Sequence, residues 1–172
     1  MDAEQLRELQ APLKARYREE PASAVVTLEA EGRLGSEEVS CSVATGRALV
    51  EAGLHPATGG DGSLACSGDM VLQALVACAG VTLRSVATNR GIDVEGTVRA
   101  EGDLDFRGTM GVGREARVGL SAVRLSFDLT SSASPEELDD VLAATERYCV
   151  VYQTLVTPPT LTVSARTRPP RP

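Results

Sequence analysis

An apolar stretch near the middle of the chain, residues 70–83, most restricts what this sequence can fold into. The segment around it is SGDMVLQALVACAGVTLRS, and within the stretch no residue is charged. A helix on a protein surface carries polar residues on one side, and this stretch has almost none. It is shorter than the roughly 20 apolar residues of a membrane span, because Asp69 and Arg84 close it. It therefore predicts a helix buried on all sides, with Cys78 at its middle.

The composition limits the ways in which such a helix can be covered. The chain has 172 residues, of which 42% are hydrophobic, but only 3% are aromatic and none is tryptophan. A domain of this size covers a fully apolar helix with difficulty, because small domains bury a smaller share of their surface. We therefore expect a second copy of the chain to share the covering, which predicts a homodimer.

Charge and motif content argue against several classes of function. The formal net charge is −7 at pH 7, and the basic residues form no cluster before the short tail RTRPPRP, so we expect no nucleic-acid binding. The first 20 residues are charged and lack the apolar centre of a signal peptide. This predicts a cytoplasmic protein that does not bind a membrane. His55 is the only histidine, and no tight pair of histidines or cysteines accompanies it, so we expect no metal site.

The N-terminal part of the sequence predicts a helix and a hairpin. Leucines at helical spacing indicate a helix over residues 3–18, which Pro12 is expected to interrupt. Residues 24–44 alternate between apolar and polar side chains on both sides of a turn predicted at residues 31–35.

The central helix is expected to follow a glycine-rich loop at residues 54–64. Ser67 is its predicted N-cap, and an Asn-Arg-Gly sequence from Asn89 predicts its end. Alternating apolar residues then predict two strands, at residues 92–104 and 118–131.

A second helix and a closing strand complete the predicted elements. Ser134 and Glu137 form a capping box with Pro135 at the first helical position. Residues 132–155 are predicted to form one continuous helix, and residues 160–166, TLTVSAR, a terminal strand.

The order of these elements, with strands before and after two helices, is typical of the α+β class. We divide the chain into an N-terminal helical extension at residues 1–20, a domain at residues 21–168 and a disordered tail at residues 169–172.

The chain contains four cysteines, whose positions bear on redox chemistry. Cys66 and Cys78 bracket half of the central helix at a separation of roughly 18 Å, whereas a disulfide needs Cα atoms within about 7 Å. Cys78 and Cys149 each lie on the apolar face of a predicted helix, so helix packing could bring them together. Cys41 lies on the apolar face of the hairpin and is expected to pack in the core. Free cysteines often only pack, so spacing leaves both a redox pair and plain packing open.

The segment CSGDMVLQALVACAGVTLRSVATNRGI, with the later helix ending in YCVVYQTL and the closing TLTVSAR, resembles the OsmC/Ohr family, the osmotically inducible and organic hydroperoxide resistance proteins. The resemblance covers most of the chain, residues 24–168. It implies an α+β fold with antiparallel sheets around two long buried helices in an intertwined homodimer. It also implies a thiol peroxidase that reduces organic hydroperoxides, and hydrogen peroxide more weakly, without a metal or organic cofactor.

The same resemblance implies roles for individual residues. Cys78 matches the peroxidatic cysteine, which becomes a sulfenic acid, and Cys149 matches the resolving cysteine, which closes a disulfide with it. Arg33 is the best match for an arginine that stabilises the thiolate, and Arg47 is the alternative. A dithiol reductant of the lipoyl or thioredoxin-like type would then reopen the disulfide.

Two positions depart from the family pattern. The hydroperoxide-reducing branch has a glutamate at the start of the central helix that holds the arginine, and Gly68 aligns there. The neighbouring Asp69 is our candidate for that role. Val150 follows Cys149 where many relatives have proline. Cys66, just before the helix N-terminus, is the alternative reactive thiol, because such positions lower the pKa of a thiol.

Two other interpretations belong to different classes of function. In the first, the same dimer binds an apolar small molecule in a dry pocket at the interface, and the thiols only pack. In the second, the dimer is purely structural. The reactivity of Cys78 separates them from the peroxidase, because only a peroxidase requires a fast-reacting thiolate.

Overall fold

The structure is a computed structural model that describes residues 2–20, 23, 32–34, 40–45, 48–111 and 114–167. For residue 9 and the strand residues up to 48, only the backbone is described. In these ranges the elements are, in chain order, α1 (Ala3–Glu19), β1 (Gly32–Leu34), β2 (Ser40–Thr45), β3 (Ala48–Gly53), β4 (Ala65–Cys66), α2 (Ser67–Arg90), β5 (Glu95–Leu104), α3 (Phe106–Thr109), β6 (Leu120–Thr130), α4 (Pro135–Tyr148) and α5 (Val150–Val156).

The N-terminal helix α1 is continuous. Asp2 and Gln5 form a capping box, in which the Gln5 N–H donates to the Asp2 carboxylate at 2.9 Å and the Asp2 N–H donates to the Gln5 side chain at 3.1 Å. The helix passes through Pro12, so the predicted interruption there is wrong. Proline removes one helical hydrogen bond, but Glu8 and Pro12 are both exposed, so solvent can reach the carbonyl that loses its donor.

The first sheet contains four strands in the order β1-β2-β3-β4. β1 pairs antiparallel with β2, with Gly32 opposite Val43 and Leu34 opposite Cys41. The turn predicted at residues 31–35 is therefore wrong, because residues 32–34 form the strand β1. The first strand of the predicted hairpin, residues 24–30, lies outside the described residues. The sequence analysis missed β3, whose segment ALVEAG has only one β-branched residue and therefore a weak strand signal.

The central helix α2 is buried along one stripe. Its buried residues recur every four positions, at Leu75, Ala79, Leu83 and Ala87. On the opposite side Val81 is 73% exposed. The described part of the chain thus buries one stripe of the helix that the sequence predicts to be buried on all sides.

The ends of α2 differ slightly from the prediction. Cys66, not Ser67, is the N-cap, and no side chain caps the helix. At the other end Gly91 has φ 70°, and its N–H donates to the Ala87 and Thr88 carbonyls. The helix has 24 residues and by length and composition could cross a membrane. Our exclusion of a span on length alone is therefore wrong, although core helices of soluble proteins have the same composition.

The second sheet is the antiparallel pair β5 and β6, close to where both strands were predicted. The register runs from Glu95 opposite Thr130 to Leu104 opposite Leu120. Gly96 has φ 140°, and a side chain there would collide with the Asp128 carbonyl, so only glycine fits this position. The inner face of the sheet packs on α2 and carries Val98, Ala100, Leu125 and Phe127.

The second predicted helix is divided in two. α4 begins as predicted, with the Glu137 N–H donating to the Ser134 hydroxyl at 3.2 Å and the Ser134 N–H donating to the Glu137 carboxylate at 2.8 Å. Cys149 then adopts an extended conformation, φ −72° and ψ 109°, so one continuous helix over residues 132–155 is wrong. Cysteine and the two valines that follow it have low helix propensity, which favours a break here.

The C-terminal segment is exposed throughout in the part of the chain that the structure describes. Residues 153–167 are all exposed, with Leu161 at 86% and Val163 at 97%. The closing strand predicted at residues 160–166 is wrong for the isolated chain, because within the described residues no strand pairs with it. The predicted tail, residues 169–172, lies outside the described residues.

Candidate functional site

Cys78 lies at the middle of α2, beside its buried stripe. It is partly buried and packs against a cluster formed by Leu75, Ala79 and Cys149, which Val151 and Tyr152 also contact. The structure therefore brings together the two cysteines that the sequence places 71 positions apart. Both are free thiols.

The break between α4 and α5 places Cys149 in this cluster. Cys149 is 0% exposed, and its N–H donates to the Thr145 carbonyl at 2.9 Å as the last bond of α4. Its own carbonyl accepts from the Gln153 N–H at 2.9 Å, the first bond of α5. The first N–H groups of a helix have no acceptor inside that helix. Those of α5 are therefore available to the two sulfur atoms.

The surroundings of Cys78 favour its thiolate. Burial raises the pKa of the Cys78 thiol, but hydrogen bonds from the Val151 N–H, the Cys149 thiol, the Val150 N–H and the Thr82 hydroxyl lower it by more. The resulting pKa lies below the ordinary value of a thiol. A buried thiol is usually inert, so these four donors set Cys78 apart from a cysteine that only packs.

The surroundings of Cys149 favour the protonated thiol. Burial raises the pKa of the Cys149 thiol, and the Tyr152 N–H lowers it in part. The hydrogen bond that Cys149 donates to Cys78, and the negative charge on Cys78, raise this pKa further. The pair can therefore hold one thiolate, at Cys78, and one proton donor, at Cys149.

The structure does not bring Asp69 to this pair. Asp69 lies in the first turn of α2, nine residues before Cys78, which is about 13 Å along the axis and on the opposite side of the helix. It lines a separate cavity of about 390 Å³ together with Leu72, Gln73 and Val76.

The structure does not test the two predicted arginines. The Arg33 backbone lies in β1, at the outer edge of the described four-stranded sheet, and its side chain lies outside the described residues. Arg47 also lies outside them. Arg84 on α2 donates to the carbonyl of Val94, the residue before β5, at 2.6 Å and so ties the start of β5 to α2.

The other candidates for chemistry are separate from the pair. Cys66 is the N-cap of α2, twelve residues from Cys78, and a side chain at Gly68 would contact its sulfur at 3.6 Å. His55 accepts a hydrogen bond from the Ala57 N–H at 3.0 Å and stacks on Phe106, so it has a structural role in its loop. Within the described ranges, no group of three or more His, Cys, Asp or Glu residues could hold a metal ion.

Thr82 is a site residue that the sequence analysis missed. Its hydroxyl donates to the Cys78 carbonyl at 2.8 Å and also reaches the Cys78 sulfur. The sequence alone could have identified Thr82, because residues four apart on a helix lie on the same face. The N–H groups of Val150 and Val151 could not be found in this way, since their position depends on the break at Cys149.

A cleft of about 620 Å³ adjoins Thr82, between α1, α2 and α4. Its lining combines the apolar side chains of Val81, Val86 and Tyr148 with polar and charged side chains such as Lys14. The cleft gives small molecules a path to the Thr82 side of α2.

Comparisons with known proteins agree with the element order. Residues 60–164 match the family described as "OsmC-like protein". A comparison with curated protein sequences finds no match.

Solved structures with the same fold include proteins of three bacteria. An OsmC-like protein from Mycoplasma pneumoniae is 17% identical, with a TM-score of 0.64 over 77% of this chain and 89% of that chain. An organic hydroperoxide resistance protein from Legionella pneumophila is 16% identical, with a TM-score of 0.55 over 78% and 92%. The organic hydroperoxide resistance protein OhrB of Bacillus subtilis is 16% identical, with a TM-score of 0.51 over 78% and 94%.

At these identities the structural comparisons establish the fold, and the match over residues 60–164 establishes the family. The α+β class and the resemblance stated from the sequence are both confirmed. The chain belongs to the OsmC-like protein family.

Proposed function

We propose that the protein is a thiol peroxidase that reduces organic hydroperoxides, with Cys78 as the attacking thiolate and Cys149 as the resolving thiol. The family, and the hydroperoxide resistance proteins among its structural neighbours, support a redox or peroxide-resistance role. The observation that carries the proposal is the contact between two free thiols whose pKa values are shifted in opposite directions.

In the first step, the Cys78 thiolate attacks the terminal oxygen of the hydroperoxide. A sulfur–oxygen bond forms and the oxygen–oxygen bond breaks. The alkoxide leaves and takes up a proton to become an alcohol, while Cys78 becomes a sulfenic acid. The N–H donors of Val150 and Val151 stabilise the thiolate before the attack.

In the second step, Cys149 condenses with the Cys78 sulfenic acid. A disulfide forms, and the hydroxyl leaves with the Cys149 proton as water. The charge on Cys78 helps to keep Cys149 protonated, and this charge disappears when the neutral sulfenic acid forms. Cys149 therefore ionises more readily when its attack is needed.

A dithiol, lipoyl-type or thioredoxin-like, supplies the two electrons and two protons that restore both thiols. We expect this cycle in the cytoplasm, where free thiols stay reduced between turnovers. A cation is still required to balance the thiolate and the leaving alkoxide. Arg33 remains the proposed source and Arg47 the alternative, and Asp69 could orient such an arginine only from a second copy of the chain.

A homodimer is part of this proposal. The exposed side of α2 carries apolar residues at Val71, Ala74 and Val81, spaced like the seam between paired helices. Leu161 and Val163 are also exposed, on a segment with the alternation of a strand. A second copy would cover both surfaces and exclude water from Cys78.

Mass spectrometry of the reduced protein after one equivalent of cumene hydroperoxide tests the proposal. We expect a rapid Cys78–Cys149 disulfide, formed before Cys41 or Cys66 reacts. Cys78→Ser should abolish peroxide turnover and remain folded, and Cys66→Ser is the matched control that should retain turnover. Absence of oxidation over minutes, or first oxidation at Cys66, would overturn the assignment.

The cleft beside Thr82 favours a second candidate, a protein that binds an apolar small molecule without chemistry. Its lining includes the apolar side chains of Val81, Val86 and Ala144, and its volume of about 620 Å³ suits a small ligand. In this case Cys78 would be inert toward peroxide, which the same mass spectra would show.

A further inference from the structure

We propose that Gln153 is a positioning residue for Cys149, because its side chain fixes the break between α4 and α5 that keeps Cys149 beside Cys78. The inference rests on the proposed function for its purpose, since the break matters to the reaction only if Cys149 resolves Cys78. The hydrogen bonds that fix the break can be tested without any peroxide.

The break takes the usual donor away from the carbonyl of Glu146. In an α-helix each carbonyl accepts from the N–H four residues later, which for Glu146 is the N–H of Val150. Cys149 has an extended conformation, with ψ 109°, so the hydrogen bonds of α4 stop at the bond from the Cys149 N–H to the Thr145 carbonyl, at 2.9 Å. The Glu146 carbonyl therefore needs a donor from outside α4.

The side chain of Gln153 supplies this donor. Its amide Nε2 donates to the Glu146 carbonyl at 2.8 Å. The backbone N–H of the same residue donates to the Cys149 carbonyl at 2.9 Å. Gln153 thus ties α5 to one carbonyl before the break and to one at the break, and the Val150 N–H is not needed at either.

The side-chain bond favours the broken arrangement over a continuous helix. Two residues seven apart in a continuous helix lie about 10.5 Å apart along its axis, which a glutamine side chain cannot span. The bond from Gln153 to Glu146 therefore forms only when the helix is broken. An interaction made in only one of two arrangements shifts the population toward that arrangement.

The position of Cys149 depends on this arrangement. With the break in place, Cys149 is 0% exposed and packs with Val151 and Tyr152 in the cluster that also contains Cys78. A continuous helix would redirect α5 and withdraw Val151 and Tyr152 from the cluster. Gln153 thus affects the approach of the two thiols through the backbone, and its effect belongs to the second step of the proposed reaction.

The experiment measures how fast diamide closes the Cys78–Cys149 disulfide, resolved by peptide mass spectrometry. Diamide takes two electrons and two protons from the two thiols and is itself reduced to the hydrazine. Gln153→Met keeps the length of the side chain and removes the donor, and because Gln153 is exposed, little packing is lost. We expect the disulfide to form about three- to tenfold more slowly, and iodoacetamide to label Cys149 faster in the reduced protein.

Thr154→Val is the matched control on α5. The Thr154 hydroxyl donates to the Val150 carbonyl at 2.8 Å, a bond inside α5 that does not cross the break, so the rate should equal that of wild type. Gln153→Lys restores a donor at the same position and should recover most of the lost rate.

An unchanged rate in Gln153→Met, or an equal loss in Thr154→Val, would overturn the inference. Circular dichroism checks that the helices are intact, and if Gln153→Met does not fold, Gln153→Ala gives the same comparison.

Peroxide turnover, measured in parallel, separates this inference from the proposed function. Slower disulfide formation in Gln153→Met, with no turnover by the wild type, would support the role of Gln153 and overturn the peroxidase. Turnover by the wild type, with equal diamide rates in both proteins, would do the reverse.

Discussion

At the scale of single residues, the same side chain serves two roles because its surroundings differ. Cys78 is partly buried and receives four hydrogen bonds, whereas Cys149 is fully buried and donates one of them. At Cys78 the hydrogen bonds lower the pKa by more than burial raises it. At Cys149 burial has the largest effect and raises the pKa. Spacing alone left the pairing of these cysteines open, and their roles came from the family resemblance.

Removing Cys149 should separate the two steps of the reaction. In Cys149→Ala, Cys78 loses a hydrogen-bond donor, so alkylation at neutral pH should slow, yet oxidation should still proceed to the sulfenic acid. Without the resolving thiol this product should persist and be trapped by dimedone on Cys78. A wild-type rate of disulfide formation in this variant would show that another cysteine resolves it.

The arginine assignment is a separate prediction at this scale. Arg33→Ala should slow oxidation of Cys78 several-fold, because it removes the proposed countercharge of the thiolate. Stopped-flow measurement of thiol loss gives the rate, and Arg33→Lys should recover part of it because the charge is kept. An unaffected rate in Arg33→Ala would transfer the role to Arg47, which Arg47→Ala would then test.

At the scale of elements, local signals predicted the start of α4 and the end of α2. The Ser134 capping box and Gly91 act within a few residues of themselves, so their effects can be read directly from the sequence. The break at Cys149 has only a weak local signal, the low helix propensity of residues 149–151. It depends on α5 packing Val151 and Tyr152 against α2, a contact between distant parts of the chain.

Val150 connects this break to the chemistry. Its N–H donates to the Cys78 sulfur, and a proline in its place would have no N–H. Proline is well tolerated at the first position of a helix, so α5 should persist in Val150→Pro. We expect this variant to alkylate Cys78 about threefold more slowly at neutral pH.

Val150→Ala is the matched control, because alanine retains the N–H and removes only side-chain volume. Circular dichroism of both variants would confirm that the helices are intact. Equal alkylation rates in Val150→Pro and wild type would show that the Val150 N–H does not stabilise the thiolate.

At the scale of the whole molecule, two apolar surfaces are left uncovered by the residues that the structure describes. One is the exposed side of α2 and the other is the segment after α5, both of which the sequence predicts to be ordered parts of the domain. The apolar pattern of each surface can be read directly from the sequence. The all-round apolar pattern of α2 led us to expect a second copy of the chain as its cover, and that homodimer stays a prediction. For the segment after α5 the pattern predicts a strand but does not identify the strand that pairs with it.

A charge on the exposed side of α2 should therefore disrupt assembly. Val81→Glu places a carboxylate where we expect a dry helix–helix contact, so light scattering coupled to size exclusion should show a monomer. Val118 is similarly exposed, at 68%, but lies between α3 and β6, and Val118→Glu should leave the dimer intact. A dimer in both variants would place the interface elsewhere.

The break at Cys149 also has an optical consequence. The chain has three tyrosines and no tryptophan, so its ultraviolet emission comes from tyrosine alone. Two of the three, Tyr148 and Tyr152, lie on either side of Cys149, and Tyr152 contacts the same cluster as Cys78. Because a disulfide quenches a neighbouring phenol ring, the emission should dim on oxidation and recover on reduction, so that unlabelled protein reports its own redox state in real time.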